Sequence, residues 1–139
     1  PLSCQLLGNI YQQQEQWGES EDWYQKSLNA WKRLPHSEQQ QAGIVSAWKG
    51  IAFAERKRGN YEEAESAYLS ALSLAPQADQ HFLLAQFYED TQQTAKARKH
   101  ATQAMALNAD RYGKSGQQLI TSLQQQHFGC LTVWRQGSP

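Results

Sequence analysis

The chain repeats itself. Cys4-x2-Leu7-Gly8-x2-Tyr11 recurs 44 residues later as Trp48-x2-Ile51-Ala52, and 33 residues after that as His81-x2-Leu84-Ala85-x2-Tyr88. A recurrence of this kind limits the fold strongly, because each copy is one supersecondary unit that buries its apolar face only against its neighbours. Within and around the copies, apolar residues fall at helical spacing. Leu6, Leu7, Ile10 and Tyr11 give one run; Trp17, Tyr24, Leu28 and Trp31 give a second, stopped by Pro35. Ser37-x-x-Gln40 reads as a capping box opening a third helix, which carries Ile44, Val45, Trp48, Ile51 and Ala52 and ends at Gly59-Asn60. Ala64, Ala67, Tyr68 and Ala71 form a fourth, with Pro76 just past its end. Leu84, Ala85, Phe87 and Tyr88, then Ala97, Ala101 and Ala104, then Tyr112, Leu119, Ile120 and Leu123 complete the series. No Val/Ile-rich alternating segment appears before the last ten residues. The pattern predicts an all-α chain of about seven helices with short turns, hence antiparallel neighbours.

Composition excludes several functions. At 139 residues the chain is expected to form one domain. Its 13 Lys+Arg balance 13 Asp+Glu, which is not the basic excess of a nucleic-acid binder. No apolar run has the ~18 residues of a membrane span, so no membrane insertion is expected, and a soluble chain, with the cytoplasm favoured, is the expectation. Cys4 and Cys130 supply neither a disulfide framework nor a zinc set. Aromatic residues, 11% of the chain, argue against disorder despite the glutamine runs at 12–14, 39–41 and 124–126. The opening at Pro1 reads as an excised fragment or a processed chain.

The middle copy carries Trp48-x2-Ile51-Ala52, the turn Gly59-Asn60-Tyr61, Ala64-x3-Tyr68, Ala71 and Pro76. This resembles the tetratricopeptide repeat, whose ~34-residue unit reads W-x2-L-G-x2-Y, A-x3-F, P. The resemblance covers roughly residues 2–109, with repeats at 2–35, 45–78 and 78–110. It implies a right-handed superhelix of antiparallel helix pairs, a TPR-like α–α solenoid, spanning residues 1–128. Gly8, Ala52, Ala85, Ala64 and Ala97 then stand where helices approach closely, and Tyr11, Tyr24, Tyr68 and Tyr88 fill the space between repeats. Ser20 and Glu55 depart from the pattern, standing where Ala and an aromatic belong, and the third repeat has Ala109 in place of the closing Pro. About ten extra residues around Lys32–Gln41 lengthen the facing ends of two helices. Residues 111–128 read as a capping helix, with Gln117, Gln118 and Gln124–Gln126 facing water. Residues 129–139 read as a tail, either a strand-like docking segment or the start of a further segment.

Candidate chemistry is thin. Gly113-Lys114-Ser115 resembles the end of a phosphate loop, but Asn108 stands where its first Gly belongs and helix precedes it. Ser46-x-x-Lys49 matches a serine–lysine pair without its partner motifs. His36, His81, His100 and His127 show no metal-ligand spacing, so surface or interhelix roles are expected, with no metal and no cofactor. Lys96, Arg98, Lys99 and His100 read as a solvated helix face, and Trp134 as an aromatic that nothing covers.

The resemblance implies a concave wall formed by the first helix of each repeat. Its open stripe is Gln5, Asn9, Gln12 and Gln13 in the first repeat, Lys49, Phe53, Arg56 and Lys57 in the second, and Phe82, Gln86, Glu89 and Asp90 in the third, each at one helical spacing. Phe53 and Phe82 are candidate partner anchors, the alternative being that each packs against a neighbouring repeat. The clamp by which some family members grip chaperone tails is missing. Asn9 matches it, whereas Gln5, Gly50, Asp79 and Leu83 do not, and no such tail is expected to bind. The leading expectation is a non-enzymatic scaffold or assembly factor that holds a peptide or partner helix in this groove. The alternative is a regulatory or sensor segment of a larger bacterial signalling protein, binding another domain of the same chain.

Overall fold

A computed structural model describes residues 1–136, with side chains described to Gln125. The described residues form seven helices and no strand: α1 (Leu2–Gln13), α2 (Trp17–Lys32), α3 (Glu38–Lys57), α4 (Tyr61–Leu74), α5 (Ala78–Asp90), α6 (Thr94–Leu107) and α7 (Ala109–Gln136). The chain is all-α, with consecutive helices paired as in a TPR-like α solenoid. It divides into two compact units, one of Pro1–Pro76 and one beginning at Gln77. In the first, α1 packs on α2, α2 on α3 and α3 on α4, with α1 also touching α3. In the second, α5 packs on α6, α6 on α7, and α5 also meets α7.

The repeat is written in the backbone of the turns. Glu15, Gly59 and Gln92 all take a left-handed conformation, with φ of 60°, 84° and 62°. They are separated by the same 44 and 33 residues as the sequence copies. Each turn closes its helix with the same two bonds. Gln16 N–H donates to the Tyr11 carbonyl, Asn60 to Glu55 and Gln93 to Tyr88, while Glu15 donates to Gln12, Gly59 to Arg56 and Gln92 to Glu89. This is the Schellman arrangement, which satisfies the carbonyls left over at a helix end. Only Gly59 adopts it without a side-chain penalty.

The core of the first unit is Tyr24, Leu28, Trp31, Val45, Ile51, Ala52, Ala64 and Tyr68. The Tyr24 ring lies between two glycines: a Cβ would meet it at 3.0 Å on Gly8 and at 2.7 Å on Gly50. The departures at Ser20 and Glu55 have local causes. Ser20 is buried and its hydroxyl donates to the Gly8 carbonyl at 2.9 Å, tying α2 to α1. Glu55 accepts from Asn60 Nδ2 at 2.6 Å.

The extra residues between the first and second repeats go mostly into α3. That helix is 20 residues long, against 12 for α1 and 13 for α5. Ser37 caps it by accepting from the Gln40 N–H at 3.0 Å. The Gln40 side chain does not complete the capping box. It donates to the Trp31 carbonyl at 3.2 Å, fastening α2 to the extension. Gly43 lets the Trp31 ring lie against α3, where a Cβ would come within 2.2 Å of it.

In the second unit Leu84, Ala85, Phe87, Tyr88, Ala97, Ala101 and Ala104 are buried with Tyr112, Leu119 and Leu123 of α7. Gln117, Gln118, Gln124 and Gln125 are exposed. The Tyr112 hydroxyl hydrogen-bonds the Asp79 carboxylate, joining α7 to the start of α5. Where the sequence reading ends a helix at 128, α7 continues through Gln136, so residues 129–136 are helical and not strand-like. Residues 137–139 lie outside the described residues, as do the side chains of His127, Cys130, Leu131, Val133 and Trp134.

Candidate functional site

The helix pairs fix which face of each first helix points outward. None of Gln5, Asn9, Gln12, Gln13, Lys49, Phe53, Arg56, Lys57, Phe82, Gln86, Glu89 and Asp90 is buried, and Asn9, Gln13, Lys57 and Asp90 are exposed. In the first unit α1 and α3 bring two of the three stripes onto one body, with Tyr24 of α2 reaching between them. The Tyr24 hydroxyl donates to Gln12 Oε1 at 2.7 Å and also contacts the Asn9 side chain. One hydroxyl carries one proton, so one of the two amides offers its NH2 to the tyrosine. Burial raises the Tyr24 pKa further above 10, keeping the phenol neutral. Gly50 stands where the chaperone-tail clamp has an asparagine, and the Tyr24 ring fills the space such a side chain would need.

Phe53 is half-buried. Trp17 meets it edge-on at 5.7 Å between centroids, and the Lys57 ammonium lies 5.4 Å from its ring. It therefore packs partly against the preceding repeat while keeping one side open. Arg56 hydrogen-bonds the Tyr68 hydroxyl on α4. Lys49, Arg56 and Lys57 make this part of the face basic around an aromatic centre.

The second unit carries the third stripe by itself on α5. Phe82 is half-buried against Ala78, Ala104 and Tyr112, with its ring 4.8 Å from that of Tyr112. Phe82 is thus partly covered by its own helix pair and by Tyr112 of α7. Glu89 and Asp90 make the end of this stripe acidic.

Two polar clusters were not anticipated from sequence. The first joins α2 to the α3–α4 turn. Arg58 Nη1 donates to Glu21 Oε2 at 2.5 Å and lies 3.8 Å from Glu55 Oε1. Glu21 and Glu55 also hydrogen-bond each other. Burial, reinforced by Glu55, raises the Glu21 pKa from 4.5 to about 7. The same bond, donated by protonated Glu21, holds Glu55 below its ordinary value. The departure at Glu55 was the available signal; its partner 34 positions earlier was not.

The second cluster joins α5 to α6. His81 Nδ1 and His100 Nδ1 are 3.0 Å apart, and the rings stack at 5.2 Å. His100 also stacks on Tyr88 at 5.6 Å. Burial, then His81 and Lys99, push the His100 pKa down to about 4, and burial lowers His81 as well. Both are neutral at pH 7, one Nδ1–H donating to the other ring. The run of Lys96, Arg98, Lys99 and His100 is consequently not one solvated face, because His100 turns inward and Lys96 lies over Tyr88 at 5.4 Å.

The remaining motifs fall on helices. Gly113, Lys114 and Ser115 sit in the first turns of α7, and Ser46 and Lys49 lie one turn apart on α3. Among the described residues no three His, Cys, Asp or Glu side chains converge, and no helix is long and apolar enough to cross a membrane.

Two tetratricopeptide-repeat family models match the chain, one over residues 3–34 and one over residues 45–78. These two stretches, residues 3–34 and 45–78, are thus similar to tetratricopeptide repeats. Such repeats are typically non-catalytic modules for protein–protein interaction. No curated protein matched the sequence.

Proposed function

We propose that the chain is a non-enzymatic scaffold or assembly factor whose first unit holds a peptide or partner helix against the outward face of α1 and α3. The observation that carries this reading is the half-open Phe53 ring with Lys49, Arg56 and Lys57 around it and a neutral, amide-rich strip, Gln5, Asn9, Gln12 and Gln13, on the neighbouring helix. An aromatic anchor gives affinity and the surrounding cations select an acidic partner and speed its arrival. The bound segment carries an apolar residue for Phe53 flanked by Asp or Glu. The α5 stripe of the second unit, with Glu89 and Asp90, favours basic residues by the same reasoning.

Selection of random displayed peptides on the immobilised chain tests this. The expected result is enrichment of an apolar residue flanked by acidic ones, with backbone-amide shift changes on binding centred on Phe53 and Lys49. Enrichment with no charge bias, or shifts that avoid α1 and α3, would contradict the proposal.

A further inference from the structure

The lengthened α3 creates a second feature in the first unit. Ile44 and Trp48 lie about 140° around α3 from the Lys49–Phe53 stripe, taking 100° per residue. They floor a cleft of about 740 Å³. One wall is α4, which contributes Glu62 and Glu65 near its start, Leu69 at mid-length and Leu74 at its end. The end of α2 contributes Lys32, whose ammonium lies 5.5 Å from the Trp48 ring centre.

The shape fits a helix. From Glu62 to Leu74 the α4 wall is about 18 Å long, some three helical turns. Its lining positions follow one helical stripe on which three serines stand among the larger residues. The Ser70 hydroxyl donates to the Ser66 carbonyl at 2.9 Å, so it stays folded onto its own helix. Ser70, small and with its hydroxyl satisfied, lets a second backbone approach closely. Leu69, 42% exposed, offers the apolar contact.

The charges choose the occupant. The acidic start of the α4 wall and the lysine on the opposite wall are separated by an apolar floor. The exposed apolar stripe of a second copy, Leu2, Leu6 and Ile10 on α1, would bring no charge to this arrangement, because α1 has no charged residue from Leu2 to Gln13. We propose that this cleft binds an amphipathic helix of a partner protein, which lays two large apolar side chains on Trp48 and Leu69 and sets a basic residue against Glu62 and Glu65. Its preference for a basic ligand is opposite to that of the α1–α3 face.

The probe is a fluorescein-labelled, alanine-based helical peptide of about 14 residues, with leucines four apart and two lysines one turn beyond them. Its controls replace the lysines by Glu, or the leucines by Gln. Fluorescence polarisation is measured with the full chain. The lysine peptide is expected to bind about fivefold more tightly than its Glu counterpart, the range of two exposed ion pairs. The Gln peptide is expected to lose binding. Glu62→Lys with Glu65→Lys should invert the charge preference, and Leu69→Gln should weaken binding about tenfold. Both variants replace exposed or half-exposed residues, and circular dichroism checks that they stay folded. Phe53→Ala should leave this binding unchanged, which separates it from the proposed α1–α3 site. Equal binding of the two charge forms, a preference that survives the double swap, or full binding by Leu69→Gln would overturn the proposal. So would self-association of the chain, in sedimentation, that Leu69→Gln abolishes, since the cleft would then belong to a second copy.

Discussion

Single residues carry the close approaches of this fold. Glycine within a helix costs roughly 0.5–1 kcal/mol relative to alanine, so a helical glycine persists at that cost where something occupies the space of its Cβ. Gly43 and Gly113 separate the two cases. A Cβ on Gly43 would strike the Trp31 ring, whereas a Cβ on Gly113 would meet no other part of the fold within 4 Å. Gly43→Ala should destabilise by about 1–3 kcal/mol through overpacking, and Gly113→Ala should stabilise by about 0.5–1 kcal/mol. Urea unfolding of the two variants checks the opposite signs. Glu21 gives a pH test. The unfolded chain releases this proton near 4.5, while the folded chain holds it to about 7. The folded state binds the extra proton between those values. The stability contributed is therefore complete below 4.5 and is lost as pH rises through 7. Glu21→Gln keeps a hydrogen-bond donor for Glu55 and removes the charge. Relative to the parent, its stability should improve by about 1 kcal/mol from pH 5 to pH 8, the full linkage value being reduced because the pair is partly in water. A flat or reversed difference would contradict the shared proton.

At the scale of elements, the three turns between paired helices are one structure with three sequences. Gly59 suits the left-handed position; Glu15 and Gln92 are forced into it at a cost of about 1 kcal/mol each. Glu15→Gly and Gln92→Gly should each raise stability by roughly 0.5–1 kcal/mol, and Gly59→Ala should lower it by a similar amount, measured by thermal unfolding. The helices themselves were legible because apolar spacing and small residues such as Ala52, Ala64 and Ala97 repeat at fixed intervals, and packing obeys that interval. Other contacts were not legible, for a physical reason. The His81–His100 pair and the Glu21–Glu55–Arg58 cluster join residues whose separation depends on how two helices are rotated, and spacing within one helix does not report rotation between two. The half-cover of Phe53 by Trp17 was hidden in the same way. α7 runs on past residue 128 although Gly129 and Val133 are weak helix formers, a local preference that the continuing helix overrides.

On the scale of the molecule, the second unit depends on α7 to cover α6 and α5. Deleting residues 111–139 would expose the apolar surface now met by Tyr112, Leu119 and Leu123, a loss on the order of 3–6 kcal/mol. The truncated chain should aggregate, or its second unit should melt well below that of the parent in calorimetry. An unchanged melt would remove the capping role from this helix. On the proposed function, the chain binds protein through the α1–α3 face of the first unit. Isothermal titration of a selected acidic, apolar-centred peptide into the parent, Phe53→Ala, Lys49→Ala and the triple change of Lys49, Arg56 and Lys57 to Glu tests it most directly. Phe53→Ala should cost more than tenfold in affinity, Lys49→Ala less than about fivefold, and the triple reversal should abolish binding at low salt. Parent-like affinity in both Phe53→Ala and the triple reversal would contradict the account.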